Sequence, residues 1–184
     1  MAIRKVARMG HPVLRKIAAP VPEKAIKTPE FQGFVHDLID TMFEYDGRGL
    51  AAPQIHESLR VVVMLWKSEK SSSKPTILCL INPVIKPLTS ETSHYWEGCL
   101  SLPGLRGLVE RPNRIAVTAL GLKGEKIEME VDGFDATVVQ HECDHLDGVL
   151  YIDRIKDLKN FSFNQEYDRH LSNPDDPDDE GDNE

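Results

Sequence analysis

The sequence predicts an α+β fold: short antiparallel strands packed around a central metal-binding helix, with one long helix toward the N-terminus. Three observations lead there. Apolar residues recur at helical spacing after Thr28, and a second helix opens at Asp132-Gly133 and stops at Gly148. Between these segments lie short β-rich runs divided by polar turns. The second helical segment carries His141-Glu142-Cys143-Asp144-His145, two histidines four residues apart.

Taken in order, Thr28-Pro29 reads as an N-cap followed by proline at the first helical position. Phe31, Phe34, Val35, Leu38, Ile39, Met42 and Phe43 then form one apolar stripe, which ends near Gly47. Arg60 to Trp66 and Thr76 to Ile81 read as a hairpin across the polar loop Lys67 to Lys74. Thr92 to Trp96, Leu105 to Glu110, Ile115 to Leu120 and Lys126 to Val131 read as further strands. The turn Leu122-Lys123-Gly124 joins the last two. The site-bearing helix opens at Asp132-Gly133 and stops at Gly148. After Asp153 the pattern weakens into a short, partly helical stretch.

We expect one domain over residues 1–170 and an acidic, disordered tail over 171–184. Of the 30 acidic residues, seven lie in the last eleven positions, from Pro174 onward, so the 22 basic residues nearly balance the rest. A nucleic-acid binder relying on a broad basic face is thereby excluded. No stretch approaches the ~20 apolar residues of a membrane span, and Met1 to Val6 lacks the apolar region of a secretory signal. Three cysteines, an odd number, argue against a disulfide framework and for a reducing cytoplasm.

On a helix, positions i and i+4 lie one above the other, so His141 and His145 can present both imidazoles to one cation. Glu142 reaches the same space and can act as a general base without ligating. Val138, one turn earlier, supplies an apolar wall. A catalytic site usually needs a third protein ligand. The zinc-protease pattern runs as far as Gly148 and then meets Tyr151 in place of histidine. Two candidates remain. Glu166 would make the protein a zinc peptidase. Cys99, after Gly98 and among polar residues, does not fit the buried, inert fate that suits Cys79 in its apolar run. A third cluster, Gly47-Arg48-Gly49-Leu50-Ala51-Ala52-Pro53-Gln54, is more than a helix stop requires.

Together, Gly47 to Gln54, Glu97 to Ser101 and Gln140 to Gly148 closely resemble the three signature motifs of the peptide deformylase family, in the family's order. The resemblance spans Ile3 to Asp153 and includes Arg8-Met9-Gly10-His11-Pro12-Val13-Leu14. It implies a hydrolase that removes the formyl group from the N-terminal formyl-methionine of nascent chains and releases formate. Cys99, His141 and His145 would hold the metal, Fe²⁺ in the cell, with Zn²⁺, Ni²⁺ or Co²⁺ able to replace it. Glu142 would carry the proton. The Gln54 amide and the Leu100 backbone N–H would stabilise the oxyanion. Gly49, Glu97, Gly98 and Arg106 would meet the peptide, and Phe134 and Val138 would wall the methionine slot. Beyond the nascent chain, the implied partnership is transient proximity to the ribosome, with no direct nucleic-acid binding and no membrane.

Two features depart from the family pattern. Arg48 stands between the two glycines where an aliphatic residue is usual, so we expect a cation at the substrate entrance. The C-terminal segment is acidic, whereas some members dock on ribosomes through a basic helix.

Overall fold

The computed structural model describes residues 2–66 and 76–172; the loop Lys67 to Lys74 and the stretch from Pro174 onward lie outside the described residues. Helix α1 spans Glu23–Ile26 and α2 spans Pro29–Glu44. Thr28 caps α2, its Oγ1 accepting from the Phe31 N–H at 3.3 Å. Phe31, Val35, Leu38 and Met42 form the buried face, but Phe43, in the last turn, is 50% exposed.

The strands are β1 (Gly49–Ala51), β2 (Val61–Trp66), β3 (Thr76–Pro87), β4 (Thr92–Gly98), β5 (Leu105–Pro112), β6 (Arg114–Leu120), β7 (Lys126–Asp132) and β8 (Phe161–Phe163). They form two antiparallel sheets, ordered β1-β2-β3-β6-β7 and β4-β5-β8. All six expected strands are present. The three-residue β1 and β8 are too short to show a period in the sequence. Strand β3 continues past its expected end at Ile81 to Pro87, with a bulge at Asn82, which sits at φ +53°. It pairs with β2 from Thr76 to Ile81, and with β6 at Ile81 and again, past the bulge, from Val84 to Pro87.

Helix α3 (Gly133–Leu146) lies between the sheets, touching β1, β2, β6 and β7 of one and β4 and β5 of the other. Strand β2 explains the layering. Val61 and Val63 pack with Val35, Leu38 and Met42 of α2, whereas Val62 and Met64 pack with Val139 and Leu146 of α3. A strand buried on both faces must be apolar throughout, as Val61 to Met64 are. Each such side chain contributes about 1.5–3 kcal/mol on full burial. A third apolar cluster, including Leu14, Val109, Leu150 and Tyr151, supports the second sheet. Gly148 ends α3 at φ +72°, where a Cβ would meet the Arg15 carbonyl carbon at 2.8 Å.

The segment after Asp153 contains a turn of 3₁₀ helix (Leu158–Asn160), β8 and α4 (Asn164–His170). Strands β1 and β4 are edge strands of their sheets, and both flank the cleft below. Among the described residues, no helix is long and apolar enough to cross a membrane.

Candidate active site

A cleft of about 1050 Å³ opens where α3, the β1 edge and the end of β4 meet. Helical spacing sets its floor: Phe134, Thr137, Val138, His141 and Glu142 all face it from α3. The Cys99 sulfur and the imidazole nitrogens of His141 and His145 lie within 4.8 Å of one another. Cys99 Sγ is 3.3 Å from His145 Nε2. His141 Nδ1 is 2.7 Å from Glu97 Oε2, which leaves Nε2 for the cluster. Tyr151, which interrupts the protease pattern, instead stacks on His141 with ring centroids 6.0 Å apart.

These donors fit a cation. Burial opposes charge on His141, yet its hydrogen bonds with Cys99 and Glu97 outweigh burial and raise its pKa, so these neighbours favour a positive charge that a bound cation would supply in place of the ring's proton. Burial holds His145 below its ordinary value, which keeps it neutral as a ligand must be. A thiolate with two imidazoles is a donor set for Zn²⁺ or Fe²⁺. Cys79, by contrast, is pushed up to about 12 by burial and is inert. Glu166 does not join the cluster: it sits exposed on α4, facing Arg169 and His170.

Glu142 is 5% exposed and its Oε2 has no hydrogen-bond partner among the described residues. Burial pushes its carboxyl up to about 7. Gln54 is held by the Ala51 N–H, which donates to Oε1 at 2.8 Å. Its amide nitrogen is thereby turned toward Ser101 Oγ at 3.2 Å and Cys99 Sγ at 3.6 Å. Leu100, Gly49 and Gly98 line the cleft. Arg48 is exposed at the mouth, its guanidinium 4.9 Å from the Phe134 ring centroid. Arg106 is 8% exposed and lies 5.2 Å from the Tyr167 ring.

Glu97 takes a different place from the one expected. Its carboxylate accepts from Arg111 Nε at 2.6 Å and Nη2 at 2.9 Å as well as facing His141, so it braces an imidazole and is not turned to a peptide. Burial would raise its pKa, but the hydrogen bonds with His141 and Arg111 hold it below the usual carboxylate range. Arg111 also donates to Asp144 at 2.8 Å, and Asp144 is held in turn by Arg154. Sequence reasoning missed Arg111, Asp144 and Thr137. Arg111 shares the inward face of β5 with Val109, and a charge on a buried face was the available signal.

An α+β fold carrying an H-E-x-x-H helix beside a cysteine defines a class, the metal-dependent hydrolases. Within that class the chain belongs to the polypeptide deformylase family, whose model matches residues 3–161. It is 41% identical to a peptide deformylase of Leptospira biflexa over 172 residues, 91% of this chain and 96% of the relative. It is 45% identical to peptide deformylase 1 of Bordetella pertussis over 168 residues, covering 89% and 93%. The Met-Ala-Ser-bound class I type b peptide deformylase of Acinetobacter baumannii superposes with a TM-score of 0.78 at 36% identity, covering 84% of this chain and 99% of that one. Peptide deformylase from Thermotoga maritima gives 0.76 at 39% identity, covering 85% and 100%. The chain is therefore an enzyme that removes the N-formyl group from nascent peptides.

Proposed function

We propose that Cys99, His141 and His145 hold one divalent ion, Fe²⁺ in the cell, with Zn²⁺, Ni²⁺ or Co²⁺ able to replace it. The observation that carries this reading is the convergence of one sulfur and two imidazoles within 4.8 Å, with a buried carboxylate beside them. When bound, the ion acidifies water toward neutral pH and polarises a carbonyl. Glu142 takes the attacking water's proton at Oε2 and delivers it to the departing amine nitrogen. The Gln54 amide and the Leu100 N–H donate to the oxyanion that forms at the formyl carbon. Tyr151 and Glu97 keep His141 in register.

The peptide lies along the free edges at Gly49 and Gly98 as an added strand, with its methionine between Phe134, Thr137 and Val138. Arg48 and Arg106 flank the chain beyond. The peptide bound to the Acinetobacter baumannii relative supports this placement, since Met-Ala-Ser is what deformylation of its formyl form would leave. Residues 1–170 make up the catalytic domain, with the acidic 171–184 outside it. The enzyme works in the cytoplasm, where reducing conditions keep the Cys99 thiol available, and meets its substrates in transient proximity to the ribosome.

The test is formate release from formyl-Met-Ala-Ser by protein prepared without oxygen, with metal measured in the same sample. Activity proportional to one bound ion per chain, highest for Fe²⁺, is the expected result. Full activity after exhaustive chelation would overturn the proposal.

A further inference from the structure

The slot on α3 contains a hydroxyl that the rest of the chain leaves unused. Thr137 lines the cleft together with Phe134 and Val138, neither of which offers a polar side-chain atom. It is 2% exposed, and its Oγ1 is shielded from solvent without a hydrogen-bond partner among the described residues. A buried hydroxyl left unpaired is unfavourable, and folded chains keep few of them. Elsewhere this protein avoids the cost. Thr41 is also buried in a helix, and its hydroxyl donates to the Asp37 carbonyl, four residues back, at 2.6 Å. Thr137 makes no such bond to Gly133, the residue four positions before it, which opens α3 at φ +59°.

Position ties this hydroxyl to the substrate. Thr137 and His141 lie one turn apart on the face of α3 that floors the cleft. One turn rises about 5.4 Å, comparable with the length of an extended methionine side chain. A methionine whose formyl group lies at His141, and whose side chain runs back along α3, carries its sulfur to the level of Thr137. Threonine has two rotamers open to it in a helix, so an unbonded hydroxyl turns toward a ligand without giving up a bond. Methionine is the unbranched apolar side chain that carries an acceptor, its thioether sulfur.

We propose that Thr137 is a specificity-determining residue whose hydroxyl donates to the sulfur of the substrate's methionine. The slot thereby tells a thioether from a hydrocarbon chain of the same length. The inference rests on the deformylase reading of the cleft, which makes the occupant of the slot a methionine. Shape alone cannot draw this distinction, because norleucine, with a methylene in place of the sulfur, fills the same space. Sulfur is a weak acceptor, so the contact is modest. It still satisfies a buried donor that norleucine leaves unpaired, and an unpaired donor is what turns a small chemical difference into selectivity.

The experiment uses the metal-loaded full chain and two substrates, formyl-Met-Ala-Ser and its norleucine counterpart, formyl-Nle-Ala-Ser. A weak neutral hydrogen bond predicts that the wild type favours the methionine peptide by about 2–5-fold in kcat/KM. Thr137→Val keeps the branched shape and removes the donor, so the ratio should fall to one or below. Thr137→Ser keeps the donor and loses a methyl group, so the ratio should persist even where both rates fall. Metal content, measured in each preparation, should be the same in all three proteins. Equal kcat/KM for the two peptides in the wild type overturns the proposal and leaves deformylation standing. A wild-type ratio carried unchanged into Thr137→Val also overturns it. A ratio lost in Thr137→Ser as well as in Thr137→Val assigns the preference to packing and not to the hydroxyl. No formate from either peptide overturns the deformylase reading itself.

Discussion

The carboxylate of Glu142 occupies the space that a side chain at Gly49 would fill. A Cβ built on Gly49 would lie 2.5 Å from Glu142 Oε1 and 2.8 Å from its Cδ and Cγ. The first glycine-rich motif and the H-E-x-x-H helix are therefore coupled by shape. Gly49→Ala should push Glu142 aside while leaving Cys99, His141 and His145 in place. Activity should fall by ~10-fold or more, as misplacement of a proton-transfer group predicts, with metal content unchanged. Wild-type turnover in Gly49→Ala would show that the carboxylate tolerates displacement.

Glu142 itself is assigned to proton transfer and not to ligation. Glu142→Gln fills the same volume and cannot accept the proton. Activity should drop by ~10²-fold or more with metal occupancy retained. Loss of the ion in this variant would place the carboxylate among the ligands.

The ion-paired arginine behind the site sets its rigidity. Arg111 is 3% exposed and joins Glu97 to Asp144. Removing it in Arg111→Met leaves two buried carboxylates without their shared partner, a loss of about 3–5 kcal/mol. Arg114, half exposed and paired with Glu130, is the contrast: Arg114→Met should change Tm little. Thermal unfolding of the two variants checks this, and similar small shifts in both would contradict it.

A pH dependence follows from Asp153, which accepts from Arg15 and from the Leu150 N–H. Burial would raise its pKa, but these partners outweigh burial and lower it. A lowered folded pKa stabilises above the ordinary value of ~3.9 and ceases to do so as pH falls through the lowered one. Both side chains are more than a third exposed, so Asp153→Asn should cost only ~0.2–1 kcal/mol near neutral pH. The gap between the two proteins should close in acid. Chemical unfolding of both near neutral pH and near pH ~3 measures it, and a gap of the same size in acid would remove Asp153 as its source.

Much of this architecture is legible in the residues. Thr28-Pro29, the α2 stripe, six strands and the H-E-x-x-H helix each carry a periodic or capping signal that local physics obeys. What escapes has an identifiable reason. The second half of β3 escapes because the bulge at Asn82 interrupts the apolar run that marks the strand as far as Ile81. Phe161-Ser162-Phe163 is too short to show a period, and its strand exists because β5 offers an edge. Arg111 lies one residue past the expected end of β5, so its inward direction was lost with that boundary. The family resemblance implies a peptide contact for Glu97; only three dimensions show Arg111 and His141 on either side of it.

The identity of the third metal ligand bears most directly on the whole reading. Cys99 and Glu166 were the rival residues in the sequence, and the structure places only Cys99 beside His141 and His145. The deciding measurement is metal content together with formate release in Cys99→Ala and Glu166→Ala. Cys99→Ala should lose both, and Glu166→Ala should keep both. A Cys99→Ala protein that still binds its ion and still releases formate would contradict the site described here.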